Sequence, residues 1–182
     1  MRKIFFAAGI MAALMFTLVV SAAAPTSFAG TWSLDKSKSQ NLSRRQQGAD
    51  SVSWTITQDD KKITIEEKVT GGEMAGGGPG GGGGGGGRGG FGGPAGPRSY
   101  NLDGSDLAFE MGPAKGTRKA SWSSDGKTLE LTSKSTFSGQ NGEVTTTNTD
   151  KLQLSSDGKV LTVNSHRESP RGPQDATLVF NK

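Results

Sequence analysis

The feature that most constrains this chain is a repeated unit in which an acidic turn separates two runs of alternating side chains. Residues 122–131 read Trp-Ser-Ser-Asp-Gly-Lys-Thr-Leu-Glu-Leu, and residues 154–163 follow the same frame. Residues 56–65 and 100–109 follow it too. An Asp-Gly pair between alternating runs is a strong hairpin signal, because a type I′ turn requires positive φ at both central residues. The repeat predicts four β-hairpins.

A two-residue turn in each unit also predicts the register of the hairpins. The innermost apolar pairs are Ile56–Ile63, Tyr100–Leu107, Trp122–Leu129 and Leu154–Leu161. The next pairs on the same faces are Trp54–Ile65, Ala120–Leu131 and Leu152–Val163. A slip of one residue would turn these side chains to the other face, so the pattern specifies one apolar face for each hairpin.

Further turn signals at 112–113, 138–142 and 169–173, with a first strand near 31–35 and a last one near 176–181, bring the total to about ten strands. The chain is therefore predicted to be all-β, an antiparallel up-and-down meander that forms a closed or nearly closed barrel, since closure removes edge strands. Only 35 of the 132 residues outside 1–23 and 71–97 are apolar. This small number of apolar residues suits a barrel with a polar interior, or a flatter sheet with one face open to water.

The first residues are typical of an export signal. Arg2 and Lys3 precede an apolar run over 4–20, and small residues follow. This pattern predicts a signal peptide over 1–23 and a single mature domain over 24–182, exported to the periplasm or the outside of a bacterial host. The run is short for a membrane span, so none is expected after cleavage; an uncleaved anchor is the alternative. The absence of Cys excludes disulfides, thiolate metal sites and cysteine nucleophiles.

A glycine tract interrupts the meander. Residues 71–96 hold 18 of the 29 glycines, so 71–97 is predicted to be a disordered loop inserted in the domain. The run from Arg88 to Phe91 resembles one unit of an RGG box. Such boxes bind nucleic acid through several arginines, whereas residues 71–97 contain only Arg88. Nucleic acid is therefore not an expected partner.

The start of the mature domain carries a family resemblance. The run from Phe28 to Lys38 reads Phe-Ala-Gly-Thr-Trp-Ser-Leu-Asp-Lys-Ser-Lys. It resembles the opening of lipocalins and intracellular fatty-acid-binding proteins, both calycin-type barrels, and the Gly-Thr-Trp-x-Leu-Asp start of many uncharacterised exported bacterial proteins. The resemblance implies Gly30 and Trp32 near the closed barrel end and a small ligand in the lumen. The helical pair that covers a fatty-acid-binding protein has no match, because 36–50 is polar.

Away from the turns, the apolar face of the hairpins becomes polar. The pairing rule sets Asp150 opposite Ser165 and Asn148 opposite Arg167. A buried Arg requires a partner. The resemblance implies that Arg167 holds a ligand carboxylate, as lumen arginines do in the resembled family, with Asp150 as its resting partner. If the strands bend, the same residues form an ordinary solvated cross-strand pair. The candidate ligand-binding residues are Glu67, Ser133, Ser135, Asn148, Asp150, Ser165 and Arg167.

The residue inventory favours binding over catalysis. His166 is the only His, and its parity opposite to Arg167 points it outward. It also lacks a recognisable arrangement with Ser or Asp. The sequence therefore predicts no enzymatic activity, cofactor or metal. The favoured hypothesis is an exported lipocalin-like protein that binds a small apolar or amphipathic ligand. The alternative is a structural or interaction protein of the cell envelope, with a protein or glycan partner.

Overall fold

The computed structural model describes residues 25–71, 96–112, 114–139 and 142–182. The predicted signal peptide and residues 72–95 of the glycine tract lie outside the described residues. The elements are β1 (Gly30–Leu34), α1 (Arg44–Gly48), β2 (Ser51–Gln58), β3 (Lys62–Thr70), β4 (Arg98–Asn101), β5 (Leu107–Met111), β6 (Ala114–Trp122), β7 (Thr128–Gly139), β8 (Gly142–Leu154), β9 (Val160–Glu168) and β10 (Gln174–Asn181).

The ten strands form one antiparallel sheet in the order β4-β3-β2-β1-β10-β9-β8-β7-β6-β5. The sheet curls into a nearly closed barrel, which confirms the predicted all-β meander. Strand β1 pairs with β2 on one side and with β10 on the other, for example Leu34 with Phe180. The two ends of the sheet are therefore β4 and β5. We call the boundary between these two strands the seam.

The predicted register is confirmed in two hairpins. Trp122 pairs with Leu129 in β6–β7, and Leu154 pairs with Leu161 in β8–β9. The predicted type I′ turns are wrong, because in each Asp-Gly pair only the glycine has a positive φ, 68° at Gly126. The aspartate instead accepts hydrogen bonds. Asp125 Oδ1 lies 2.6 Å from Ser123 Oγ and 3.1 Å from the Lys127 backbone nitrogen, and these bonds stabilise a longer loop.

The β2–β3 hairpin is shifted by two residues from its predicted register. Ile56 pairs with Ile65 rather than Ile63, and Trp54 pairs with Glu67 rather than Ile65. The cause is a longer turn in which Asp59 Oδ1 accepts the backbone N–H groups of Lys61 and Lys62, each at 2.8 Å. Because the shift is an even number of residues, the apolar side chains stay on the same face.

The predicted Tyr100–Leu107 hairpin is wrong. Tyr100 pairs with Ile63 of β3, and the sheet has no β4–β5 ladder among the described residues. The backbone N–H of Leu102 donates to Lys61 O at 2.7 Å, so pairing with β3 continues past the end of β4. Asp103 Oδ1 accepts from the Ser105 N–H and hydroxyl, which completes the loop locally without joining the strands.

The apolar core fills the turn end of the barrel, which we call the base. Its largest fully buried side chains are Phe28, Trp32, Ile56, Ile63, Ile65, Tyr100, Leu129, Leu131, Leu152, Leu161, Val163 and Phe180. The segment before β1 crosses this end. Thr26 N–H donates to Gly126 O at 3.2 Å, Gln58 Nε2 donates to Thr26 O at 3.1 Å, and Phe28 stacks on Trp122 with ring centroids 5.9 Å apart. The segment before β1 thus closes the base through these two hydrogen bonds and the Phe28–Trp122 stack.

The opposite end of the barrel, which we call the rim, is more polar and more exposed. The loop after β1 holds α1, whose Ser43 N-cap and Gln46 form a capping box. None of the described residues forms a helix long and apolar enough to cross a membrane. Strands β7 and β8 are the longest in the sheet, and they extend past the last β8–β9 pair, Thr147 with Glu168.

Gly116 permits a close approach of β6 to β7. A Cβ at this position would lie 2.0 Å from Lys134 O and 2.9 Å from the Ser135 Cα, both backbone atoms. We expect Gly116→Ala to lower the free energy of unfolding by about 1–3 kcal/mol, because the two strands must move apart. Urea unfolding measures the change. Gly48→Ala is the matched control, since nothing lies within 4 Å of its new Cβ; equal midpoints for the two variants would contradict the prediction.

Candidate functional site

Charged and polar side chains lie inside the barrel, directly above the apolar base. We call this group the interior polar cluster, and its members are Glu67, Arg98, Tyr100, Arg118, Asp150 and Ser165. They come from β3, β4, β6, β8 and β9, so the cluster spans both sides of the seam. Side chains two residues apart on a strand point to the same face. Asp150 therefore faces inward with the core residue Leu152, and Arg118 faces inward with the core residue Ala120.

Asp150 is the anionic centre of the cluster. Its side chain is buried, and Ser165 Oγ donates to Asp150 Oδ1 at 2.6 Å. Its other oxygen lies 3.8 Å from Arg98 Nη1, an ion pair whose two side chains are both nearly buried. The Arg98 guanidinium also lies over the Trp54 ring, 5.2 Å from its centroid. Arg98 is thus held between a carboxylate and an indole face.

Glu67 supplies a second carboxylate beside Trp54. The Trp54 Nε1–H donates to Glu67 Oε2 at 2.9 Å, so the indole has a polar partner at the edge of the cluster. Burial lowers the pKa of Arg98. The negative charges of the ionised form of Tyr100, of Asp150 and of Glu67 outweigh the effect of burial, so the pKa of Arg98 is raised overall. Burial raises the pKa of Tyr100, so its phenol stays neutral at physiological pH.

Arg118 is the second guanidinium of the cluster, and its surroundings differ. The residue is 5% exposed, and its Nε has no hydrogen-bond partner among the described residues. Its guanidinium carbon lies 4.2 Å from the Phe109 ring centroid and 6.0 Å from that of Tyr100. Burial and the nearby charge of Arg98 lower the pKa of Arg118, partly countered by Tyr100. This cation is therefore stabilised mainly by aromatic rings.

The structure brings several of the sequence-predicted site residues together. The predicted pairs Asp150–Ser165 and Asn148–Arg167 are confirmed as cross-strand pairs. Ser165 also lies 3.4 Å from Asn148 Oδ1. Ser133 and Ser135 are half-buried on β7, opposite Asn148 and Thr146 respectively. Arg167 is half-buried on β9 between Asn148 of β8 and Gln174 of β10.

The two residues assigned to the barrel end lie at the base. Trp32 is fully buried, and its Nε1–H donates to Phe28 O at 2.9 Å. Gly30 begins β1 with φ 140°, and the Lys182 side chain covers both residues, with Nζ 5.3 Å from the Trp32 ring centroid. The core around Trp32 thus extends to the last residue of the chain.

Sequence reasoning missed Arg98 and Arg118. The signal for Arg118 was present, because its parity with Ala120 places it on the inward face and the confirmed register sets it opposite Ser133. Arg98 shares a face with Tyr100 in the same way, but it directly follows the predicted loop over 71–97 and was considered only as a residue at the edge of the glycine tract. The closure of the sheet decides which strands meet around these side chains, and the hairpin pattern does not specify how the sheet closes.

His166 lies on the outer face, which confirms the predicted parity. Its Nδ1 lies 2.6 Å from Asp175 Oδ1 on β10, and its Nε2 lies 3.6 Å from Glu168 Oε1. The hydrogen bond to Asp175 raises the pKa of His166 above 6.5, with Glu168 contributing in the same direction. Within the described ranges, no group of three His, Cys, Asp or Glu residues is arranged to hold a metal ion.

Comparison with known proteins does not assign this chain to a family. No protein-family model matches the chain, and no curated protein is significantly similar to it. The functional argument therefore depends on the interior polar cluster itself.

The Asp150–Arg98 pair gives a stability prediction. We expect Asp150→Asn to lower the free energy of unfolding by about 2–3 kcal/mol, because it leaves the nearly buried Arg98 without this carboxylate. Chemical denaturation monitored by tryptophan fluorescence measures the loss. The control is Glu130→Gln, which removes an exposed pair with Lys151 and should cost less than about 1 kcal/mol. If both variants lose the same free energy of unfolding, the interior pair contributes no more to stability than the exposed pair, and the prediction is wrong.

The single histidine allows a clean pH test. A folded pKa raised above the unfolded value means that the His166–Asp175 pair stabilises the fold fully below about pH 6.5, and this contribution is lost as the pH rises through the folded pKa. We expect the imidazole NMR titration midpoint to exceed 6.5. Asp175→Asn should lower the midpoint more than Glu168→Gln does. A wild-type midpoint at or below 6.5 would refute the assignment.

Proposed function

We propose that this protein is exported and binds a small amphipathic molecule inside its barrel without transforming it. The observation that carries the proposal is a pair of guanidinium groups, Arg98 and Arg118, inside the barrel above an apolar core. Burying charged side chains costs free energy, so a barrel that needed only stability would fill this level with apolar side chains. Interior cations above an apolar base suit a ligand with an apolar body and a polar head.

The gradient along the inward face of β7 and β8 supports the same proposal. From the base, β7 presents Leu129 and Leu131, which are fully buried, and then the half-buried Ser133 and Ser135. On β8, the buried Leu152 and Asp150 are followed by the half-buried Asn148 and Thr146. The interior thus changes from apolar to polar within a few residues, which matches the amphipathic character of the proposed ligand.

The export part of the proposal depends on the sequence alone. Two basic residues, an apolar run and a small-residue end form the predicted signal peptide over 1–23. The absence of Cys agrees with a bacterial periplasmic or extracellular protein that folds without disulfides. In such a compartment, a binding protein of this kind would carry or sequester a molecule that is sparingly soluble in water.

A second candidate function has one specific observation in its favour. Phe137 and Val144 face each other near the end of the β7–β8 hairpin and are 46% and 41% exposed. These are the exposed large hydrophobic residues of the described chain, and exposed apolar pairs are a feature of interaction surfaces. They support the alternative of an envelope protein that binds a protein or glycan partner through the rim.

A bulky substitution inside the barrel tests the binding proposal. Ser133→Phe places a large side chain opposite Arg118 and Asn148 on the inward face. We expect it to abolish binding of Nile red, a neutral apolar fluorophore, and to remove any co-purifying lipid found by native mass spectrometry of the wild-type protein. The physical reason is steric, since the added ring occupies the interior at the level of the polar cluster.

The matched control for that experiment is Thr132→Phe. Thr132 is the neighbouring residue of β7, and its side chain points to the outer face, so the same ring is added outside the barrel. Binding should stay within about twofold of the wild-type value, because the interior is unchanged. If the wild-type protein binds neither lipid nor fluorophore, the lumen proposal fails and the rim interaction becomes the leading function.

A further inference from the structure

The barrel wall has an unfilled position in the rim half of the seam. Strand β4 pairs with β3 only over 62–65, and no described strand pairs with 66–70 of β3 on that side. Strand β5 pairs with β6, and its other edge has no described partner. We call the space between 66–70 and 107–111 the seam slot. Both of its sides are strand edges, whose N–H and C=O groups toward the slot have no ladder partner in the described part of the chain.

The separation and direction of the two sides suit one inserted strand. Nearly all Cα atoms of β3 lie more than 8 Å from those of β5. Two strands that flank a third lie roughly 9.5 Å apart, since neighbouring strands are about 4.8 Å apart. Both β3 and β5 begin at loops of the base and run toward the rim, so a strand between them would be antiparallel to both. Strand β4 already has this direction, because it pairs antiparallel with β3.

The sequence explains why β4 stops short of the slot. Arg98, the first residue of β4, pairs with Ile65. The preceding residue, Pro97, would lie opposite Glu66 if the ladder continued. Proline has no N–H group to donate to a neighbouring strand, so the pairing with β3 ends at this point. The seam slot therefore begins where Pro97 ends the ladder.

Apolar side chains along the slot are incompletely covered. Four of them are only half-buried: Val69, Leu107, Phe109 and Met111. Val52 of β2, the cross-strand partner of Val69, is 2% exposed. The two valines lie side by side on the inward face, so the difference between them reflects the absence of a described neighbour on the slot side. An apolar side chain at an inward-facing position of an inserted strand would cover this surface.

The charge along the slot is mainly negative. Within 66–70 and 107–111 there are three carboxylates, Glu66, Glu67 and Glu110, and one cation, Lys68. Glu66 and Glu110 are exposed, and they occupy outward-facing positions because side chains alternate along a strand. Opposite charges on neighbouring strands attract each other. Basic side chains at the outward-facing positions of an inserted strand therefore complement the two edges.

From these observations we propose that the seam slot binds an extended segment of a partner polypeptide, with apolar side chains facing inward and basic side chains facing outward. The segment adds one strand, antiparallel to β3 and β5, and its main chain supplies hydrogen-bond partners for both edges. This interaction goes beyond the proposed lumen-binding function and is independent of it, because the slot lies in the barrel wall rather than in the interior.

A heptapeptide of alternating lysine and valine tests the proposal. Fluorescence anisotropy of its fluorescein conjugate, titrated with wild-type protein at physiological salt, measures the dissociation constant. We expect binding at least about tenfold tighter than that of a peptide in which all lysines precede the valines, because that order does not place the valines on one face. Methylation of alternate backbone nitrogens in the first peptide should weaken binding by about tenfold, since it removes main-chain donors and keeps the charge.

The charge of the edges is tested with Glu110→Lys. This exposed substitution should weaken binding of the lysine–valine peptide by about fivefold and strengthen binding of a glutamate–valine heptapeptide. Glu143→Lys is the matched control, since Glu143 is also exposed and outward-facing but lies on β8. It should leave both affinities within about twofold. Equal weakening in the two variants would show attraction by net charge alone and would overturn the proposal.

Amide hydrogen exchange locates the bound peptide without any variant. The lysine–valine peptide should slow exchange within 66–70 and 107–111 and leave the unpaired edge of β8 over 142–146 unchanged. Protection confined to β8, or a failure of the peptide to bind, overturns the proposal and leaves the Nile red test of lumen binding unaffected. Slot-facing amides that are already protected without peptide would also overturn it. In that case the chain itself fills the slot, or a second copy does so if the protection rises with protein concentration.

Discussion

The pairing of β1 with both β2 and β10 is the constraint on which the rest of the architecture depends. A ten-strand meander that stayed open would leave its first and last strands as edges. Here β1 joins the two halves of the sheet, and the contact continues beyond the strand, since the backbone N–H of Asp35 donates to Val179 O and Gln40 bridges to Thr177. Asn181 Nδ2 also donates to Asp35 Oδ2. Closure at this point transfers the unpaired edges to β4 and β5.

That transfer determines where the interior charges lie. At every other neighbouring pair of strands, backbone hydrogen bonds hold the barrel wall. Along the seam, the contacts described between β4, β5 and β6 come from side chains, and Arg118 is central because its guanidinium lies near the rings of Tyr100 and Phe109. The least regular part of the wall thus also contains Arg118, a buried cation with no ion pair to any of the described residues.

Particular residues show how far the sequence leads. The alternation was sufficient for the inward face of each hairpin, because a period of two has only two phases and the wrong one exposes every apolar side chain. The register was correct around Trp122 and Leu154 but not in β2–β3, where a shift of two residues keeps the same face. The alternation was insufficient for turn geometry, since Asp59 and Asp125 stabilise longer loops through their own carboxylates. The same Asp-Gly signal at 103–104 marks a loop between unpaired strands. A turn motif reports a reversal of the chain, and it does not report which strands pair after the reversal.

The candidate site also contains contacts that the sequence predicts and contacts that it does not. The opposition of Asp150 to Ser165 and of Asn148 to Arg167 follows from the β8–β9 register and was predicted correctly, because it involves adjacent strands of one hairpin. The contact between Asp150 and Arg98 joins β8 to β4, strands that do not neighbour each other in the sheet. No local pattern specifies such a contact, since it exists only when the curved sheet brings opposite walls together.

The sequence by itself therefore determined the strand-rich class, the apolar face and the register of the tight hairpins, all of which depend on side-chain period and on residues close along the chain. Only the tertiary structure decided that β1 meets β10 and that the seam falls between β4 and β5. It also decided that Arg98 lies beside Asp150, whereas Arg118 has no carboxylate partner among the described residues. These features depend on the curvature of the whole sheet, and curvature is the sum of small twists over ten strands rather than the property of any one segment.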